Sequence, residues 1–541
     1  MSIKQIVRWT CKVPAVLMYM VMAVSTAQAD SPWLTNVPIG TVDKEMVYQH
    51  TVAGYGANLK EYTAGPGLER IKVIAFSNGV HTTATSTHWI SGDNGQTWTE
   101  MPEIEPMFSE NTPGAEDWNE GFTNCMMAYD PASGALIRPC YVEYMETGRY
   151  TYSFYTMSFD YGQTWSDPKQ LKYESGPDYN PSDPFNSAWA AKNICQRPKN
   201  ITLTSAGTII MAVAEVPDAG DSLESPRFAS LNFVGTWNSN TNDYDWVTGQ
   251  PVVISDDLSS RGLQEVVTAE LNPGEYDTPK ILSVWRGSNT STTPGRKWYS
   301  VSEDGGLTLS AVAELKYDDG TSFYSPSSMS ELIRSEWNGK LYWIGNITPT
   351  APVGNSPRYP LVIAEVDEDL VALKKDTVTV IATKTPDQLS IVQYSNFSVM
   401  ENKETHQLEV YVSDIGALSD SSDPSVYPNR FDYDAYCYTV SLFPEAGDAN
   451  GDGVVDGSDA TILANYWQVS TDGVSQEAWA MGDFNLDGLV DGSDATILAA
   501  NWQHGAAVPD ATVPEPSTGV LLASLLLMVG YFTKRRSMTR V

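Results

Sequence analysis

The sequence predicts an all-β chain folded as a six-bladed β-propeller, followed by a small α-helical module and a C-terminal hydrophobic helix. Three observations predict it. One turn is written three times, as SGDNGQTW at Ser91–Trp98, SFDYGQTW at Ser158–Trp165 and SEDGGLTL at Ser302–Leu309. From residue 30 to residue 445 the text is short apolar runs such as RIKVIAF, KILSVWRG and LEVYVSD, punctuated by Gly, Asn, Asp and Pro, with little helical periodicity. After Pro444 it changes to two near-identical acidic units, GDANGDGVVDGSDATILANYWQ and GDFNLDGLVDGSDATILAANWQ.

The turn leads to the propeller. Ser and Asp supply short side chains that bond back onto turn amides, Gly takes a backbone angle closed to other residues, and the aromatic packs beneath. This is a closed hairpin tip. The step from Asp93 to Asp160 is one unit of about 70 residues, and the step from Asp160 to Asp304 is about two. A strand-rich unit of that size suits a four-stranded blade with long loops, and residues 30–445 hold some six of them.

Composition narrows the class of protein. With 541 residues, 42% hydrophobic and 18% charged, the chain is globular and has more than one domain. A net charge of −34 argues against nucleic acid or an anionic membrane surface as partner, and fits solubility and calcium ligation. Sixteen Trp and 28 Tyr suit both blade cores and sugar-stacking surfaces. Beyond Cys11, four cysteines remain: Cys125, Cys140, Cys195 and Cys437. They allow three disulfide pairings, of which Cys125 with Cys140 is the easiest closure, or four buried thiols.

Taken in order, residues 1–29 read as a signal peptide. Lys4, Arg8 and Lys12 precede an apolar run, Val13 to Val24, that ends in the small-x-small site Ala27-Gln28-Ala29. Residues 30–445 are the propeller. Residues 446–505 are a module of two calcium loops, each followed by a short helix. In the first loop Asp448, Asn450, Asp452, the Val454 carbonyl, Asp456 and Asp459 take positions 1, 3, 5, 7, 9 and 12; Asp483, Asn485, Asp487, Leu489, Asp491 and Asp494 repeat them. Hard oxygen donors at alternating positions are what Ca²⁺ requires, and the duplication implies two ions. No cofactor is expected for the propeller. Residues 506–513 are a linker. Residues 514–541 run from Pro514-Glu515-Pro516 through an apolar stretch, Gly519 to Phe532, to Lys534, Arg535 and Arg536. That stretch is marginal for a spanning helix, and the basic flank should stay cytoplasmic.

Three resemblances add to this reading. The turn S-x-D-x-G-x-T-W resembles the Asp-box, or BNR repeat, of the sialidase (neuraminidase) superfamily, whose six-bladed propellers carry it at hairpin turns away from the catalytic cleft. The paired loop–helix units look like a type I dockerin, which would make a cohesin-type domain the partner. The tail is similar to the PEP-CTERM sorting signal of Gram-negative bacteria, which implies a processing protease, secretion or cell-surface location, and transient or stable anchoring through the C-terminal segment.

The sialidase resemblance implies an exo-acting glycoside hydrolase that removes a terminal sialic acid or related acidic sugar with retention. A neutral Tyr attacks because the substrate carries its own carboxylate; a Glu takes the Tyr proton, three arginines grip the carboxylate, and an Asp protonates the leaving oxygen. Carried onto this chain, TAELNPGEYDTPKILSVWRGSN supplies Glu270 and Arg286, SPRYPLVIAEVDED supplies Arg358 and QYSNFSV supplies Tyr394. The first arginine would be Arg70, or Arg197 in its place. On the residues alone, Glu270 with Arg286 could equally be a cross-strand ion pair, and Tyr394 a blade-core aromatic. The stretch Gly79–Ile90, where the acid is expected, holds no carboxylate, only His81 and His88; Glu116 and Asp117 lie further on. Two alternatives therefore stand beside hydrolysis: β-elimination on a uronic-acid polymer, with Tyr394 or His81 as base, or glycan binding without turnover.

Overall fold

In the computed structural model, six antiparallel sheets follow one another along the chain, each with its strands largely in sequence order. The structure describes residues 42–503 apart from 50–55, 78–84, 103–117, 122–125, 145–150, 181, 184–185, 197, 218–227, 418–432, 443–445, 452–453 and 472–475. The predicted signal peptide, linker and C-terminal tail lie outside the described residues, as do Cys125, His81, Glu116, Asp117, Arg197 and Asp452.

Blade 1 is Gly56–Thr63, Arg70–Ser77, Thr85–Ser91 and Thr99–Glu100. In blade 2, Trp118–Gly121 and Ala128–Asp130 both pair with Ala135–Tyr144, which is followed by Thr151–Ser158 and Lys169–Gln170. Blade 3 is Thr202–Leu203, Thr208–Pro217, Phe228–Asn238 and Asp243–Thr248. Blade 4 is Gln264–Leu271, Lys280–Arg286, Lys297–Ser302 and Ala313–Glu314. Blade 5 is built on Glu331–Arg334, Leu341–Asn346 and Leu361–Asp367. Blade 6 has Phe397–Glu401, Leu408–Ser413 and Ala435–Val440, and its outer strand is Val42–Tyr48 from the start of the described chain. That last pairing closes the ring, so that the sheets form a six-bladed propeller whose terminal blade joins both ends of the fold.

The repeated turns link the third and fourth strands of blades 1, 2 and 4 with one bonding scheme. Ser91 Oγ donates to Asp93 Oδ1 at 2.8 Å, and Asp93 accepts the Thr97 amide at 2.8 Å and its hydroxyl at 2.6 Å. Asp160 and Asp304 repeat these contacts with Ser158 and Thr164, and with Ser302 and Thr308. Each turn also docks on the preceding blade. Asn94 donates to Asn402 Oδ1 of blade 6, and Asn232 of blade 3 donates to the Gly306 carbonyl. Gly162, at φ 93°, lies so close to blade 1 that a Cβ would come within 2.4 Å of Ile71. The turns are therefore staples between blades.

The C-terminal region is a pair of loop–helix units. Helix α1 spans Gly457–Asn465, α2 Gln476–Ala480 and α3 Gly492–Ala500. Asp456 and Asp491 cap α1 and α3 through capping boxes closed by Asp459 and Asp494. The halves interlock reciprocally: the Gln468 amide donates to the Val490 carbonyl, and the Gln503 amide to that of Val455. Val455, Leu463, Trp479, Phe484, Val490 and Leu498 are buried.

Cys195 and Cys437 are buried thiols and form no disulfide; burial raises them to about 11 and about 12.

Candidate functional site

Strand register decides which side chains share a rim. In blade 4, Arg286 pairs with Gln264 on one side and Lys297 on the other, at the end of the sheet that opens on the hub mouth. Ile281, at the other end, pairs with Glu270 and with Ser302, the first residue of the repeated turn. Glu270 is therefore on the turn rim, and Arg286 on the mouth rim.

The expectation that Glu270 works beside Arg286 is thus corrected. The Glu270 carboxylate accepts the amide and hydroxyl of Ser205, in the first hairpin of blade 3, at 2.6 and 2.5 Å. Glu401 does the same for blade 6, accepting the amides of Glu336 and Trp337 from blade 5. A glutamate ending an inner strand is here an inter-blade clamp. Arg70 is corrected likewise: its guanidinium bonds Glu409 at 2.8 Å, Glu61 at 3.3 Å and Asn94 of the first turn at 2.7 Å. It belongs to a buried ion-pair network on the turn rim. Tyr394 is corrected by burial. It is 1% exposed in the core formed with Ile344, Leu361, Phe397 and Tyr438, and among the described residues its hydroxyl reaches only Gln388 Oε1, at 3.4 Å. Burial raises that hydroxyl to about 12.

Arg286 and Arg358 do come together. Arg286 Nε donates to Ser327 Oγ at 2.8 Å, and Arg358 Nη2 to the Ser327 carbonyl at 3.0 Å. Arg286 also reaches Asn355 Oδ1 at 3.1 Å, and Arg358 reaches Gln393 Oε1 and Ser395 Oγ, both at 3.2 Å. Gln393, bridged to Arg358 outside the blade strands, and Ser395 face Arg358, while Tyr394 between them is buried in the core.

The carboxylate at this mouth is Glu265. Its Oε2 accepts from Arg286 Nη1, and Lys199 Nζ lies 3.1 Å from Oε1. Burial alone would raise it, but Arg286 and then Lys199 outweigh burial and hold it well below the carboxylate range. Glu265 sits at a shift in the strand pairing, between Gln264 and Val267, with φ 40°. A non-glycine residue held in that region stores strain, and a bulge re-aims a side chain; both concentrate at functional sites. Sequence reading missed Glu265 because it follows motif spacing, whereas the bulge exists only in the paired sheet.

Two further ionisable groups lie beneath. Lys297, fully buried, donates from Nζ to the Ser328 carbonyl; burial first, then Arg286, lower it to about 7. Glu331, 1% exposed, is raised by burial to about 8, with Lys60 and Lys199 opposing and Glu265 adding to the shift. The hub thus carries an ionised carboxylate over a protonated one, the arrangement by which environment separates two acids.

In the C-terminal module, the second loop is fully described and its donors suit a hard divalent cation. Asp483 and Asp494 are both fully buried, and burial first, then Asp483, raises Asp494; a cation would relieve that repulsion. Among the described residues no three acidic or imidazole side chains converge on one point. The carboxylates turn instead to loop amides: Asp483 accepts from Asp487 and Gly488, and Asp494 from Phe484, Asn485 and Asp491.

Fold and site together define a six-bladed propeller with a charged hub mouth and an appended loop–helix domain. Residues 446–501 match the family described as Dockerin type I domain, so the C-terminal region is a dockerin domain. Such domains typically bind calcium and cohesin domains. No curated protein matches the chain. Among solved structures, it is similar to a Dyadobacter fermentans protein of unknown function, at 14% identity and TM-score 0.48, covering 75% of this chain and 100% of that one. It is similar to the NanB sialidase of Streptococcus pneumoniae at 13% identity and TM-score 0.47, covering 73% and 70%. It is similar to the alpha-L-arabinofuranosidase Arb93A of Fusarium graminearum at 12% identity and TM-score 0.42, covering 74% and 99%. Likenesses at these values assign no activity to this chain.

Proposed function

We propose that this chain is an exported glycan-processing hydrolase acting at an acidic sugar, with its reacting groups in the hub mouth. The observation that carries the reading is the convergence of Arg286 and Arg358 on Ser327, with the strained, ionised Glu265 held against Arg286. Two guanidiniums in one mouth suit the carboxylate of a sialic or uronic acid. Glu265, ionised at neutral pH, is the general base. A tyrosine nucleophile finds no support at Tyr394, and Glu265 is assigned the proton transfer.

The remaining sequence features extend the proposal. The leader and the Pro-Glu-Pro tail make the protein an export substrate, retained at or released from the cell surface by a processing protease. The dockerin domain holds two calcium ions and docks the enzyme on a cohesin-type partner. One experiment tests the catalytic core of this reading: the full chain is incubated with a library of sialylated and uronate-bearing glycans, and products are identified by mass. Release of an acidic sugar by wild type but not by Glu265→Gln supports it. An unsaturated product indicates elimination instead, and binding without any product leaves a glycan-binding propeller.

A further inference from the structure

The repeated turn keeps its Ser, Asp, Gly and Thr in all three copies, while its second and fourth positions vary. They are Gly92 and Asn94 in blade 1, Glu303 and Gly305 in blade 4, but Phe159 and Tyr161 in blade 2. The turn forms without rings at these positions. Phe159 is nevertheless 53% exposed and Tyr161 36% exposed, and Tyr161 holds φ 57°, a left-handed angle that Asn94 and Gly305 meet at less cost. A bulky side chain kept against such strain points to function. The two rings belong to a larger group. Tyr161 meets Tyr129 of blade 2 with centroids 6.1 Å apart, and Phe159 meets Trp237 of blade 3 at 6.2 Å. Trp237 leans on Tyr244 at 5.2 Å, and the Tyr244 hydroxyl donates to Asp130 Oδ2 at 2.5 Å, one residue on from Tyr129. The contacts close on themselves around one patch of the turn rim, opposite the hub mouth.

We propose that this patch is a non-catalytic platform for an uncharged glycan chain. A sugar ring has an apolar C–H face and an edge of hydroxyl donors, so it fits aromatic surface set beside acceptors. The patch supplies both. Glu69 and Tyr161 close together on Gly65, where a Cβ would come within 2.6 Å of the carboxylate and 2.9 Å of the ring. Glu69 is half-buried, and its Oε2 accepts the Gly67 amide at 2.9 Å. The other charged groups around the rings are taken up by the fold: Asp130 by Tyr244 and the Ala132 and Ser133 amides, Asp160 by Ser158 and Thr164, and Asp243 by Lys169 and Tyr155. The surroundings are therefore acidic, which welcomes hydroxyl donors and repels a uronate or sialate chain, as does the net charge of −34. A dry protein face fits worse, because it would bury Glu69 without a cation. Two ring pairs, one on each side of the turn, suit several linked sugars, and the stacked rings are held in place before binding, which spares ordering entropy.

The test compares the full wild-type chain with the double variant Phe159→Gly, Tyr161→Asn, which rewrites the blade 2 turn as the SGDNGQTW of blade 1 and so keeps a turn this fold already carries. Affinity electrophoresis is run in gels containing mixed-linkage β-glucan, galactomannan or arabinoxylan, and in polygalacturonate as the acidic comparison. The expected result is retardation of wild type by at least one neutral polysaccharide, weakened at least about tenfold in the double variant. Any retardation by polygalacturonate should be equal in the two chains. If the double variant does not fold, Phe159→Glu, which borrows the blade 4 residue, decides. The proposal is overturned if no neutral polysaccharide retards wild type, if the folded variant is retarded equally, or if polygalacturonate binding falls with the rings. Self-association of wild type that the variant loses, with no glycan bound, also overturns it and makes the patch a contact between copies. Hydrolysis in the hub stands or falls separately, since product release should be the same in both chains.

Discussion

Glu265 and Glu270 lie on one strand of blade 4 and serve opposite rims: Glu265 faces Arg286 at the mouth, and Glu270 clamps Ser205 of the neighbouring blade at the turn rim. At about 3.3 Å per residue, five residues carry the chain some 17 Å from one rim towards the other. The two glutamates should therefore respond differently to substitution.

Glu265→Gln is expected to cut turnover about 10²–10⁴-fold and also to lower the melting temperature, because Arg286 and Lys199 lose a buried counter-charge. Glu270→Ala is expected to keep turnover and lose roughly 1.5–3 kcal/mol of stability, because a hydroxyl and an amide lose a charged acceptor. Paired kinetics and denaturant melts check this; loss of activity in folded Glu270→Ala would return Glu270 to the site.

Tyr394→Phe is expected to leave product release unchanged and to shift stability by no more than about 1 kcal/mol, since among the described residues the hydroxyl makes one long bond at 3.4 Å. A kcat fall of about 10²-fold or more with the fold intact would restore a tyrosine nucleophile.

Glu331 sets a pH signature. Its folded value of about 8 lies above the ordinary glutamate value of 4.5, so the folded state holds the proton more tightly. Its stabilising contribution is complete below about pH 4.5 and is lost as pH rises towards about 8. Glu331→Gln should therefore raise the melting temperature near pH 8 and leave it unchanged near pH 4.5, read by melts across that window.

The turn aspartates act with the opposite sign. Asp93 is lowered by the Thr97 hydroxyl and amide; in Asp160 and Asp304 burial works upward, but the Thr164 and Thr308 contacts prevail. Their stabilisation is present above the ordinary aspartate value of 3.8 and disappears as pH falls through the lowered values. The triple variant Asp93→Asn, Asp160→Asn, Asp304→Asn should start less stable at pH 6 and lose less on acidification.

Chelation with EDTA should remove the α1 and α3 helical signal and leave the propeller transition in place, because the ligand set is confined to Asp448–Asp494. A two-transition thermal melt, with and without calcium, reads both parts.

Much of this molecule was legible from local text. The turn carries its own bonds within eight residues, so Ser91, Asp93 and Thr97 announced a hairpin before any sheet was known. The calcium loops and their caps are equally local, with Asp456 and Asp459 closing α1 from within the segment. Arg286 and Arg358 were legible as strand-end arginines, and the structure joins them at Ser327.

The carboxylate at the hub mouth was not legible in this way. Glu265 owes its position to a bulge in pairing and its charge to Arg286 and Lys199, 21 and 66 residues distant in sequence. Short-range side-chain chemistry, written in a few consecutive residues, let the sequence by itself determine turns, loops, caps and the propeller period. Only the closed ring decided which strand ends share a rim, because register and burial are properties of partners that the chain brings together across long separations.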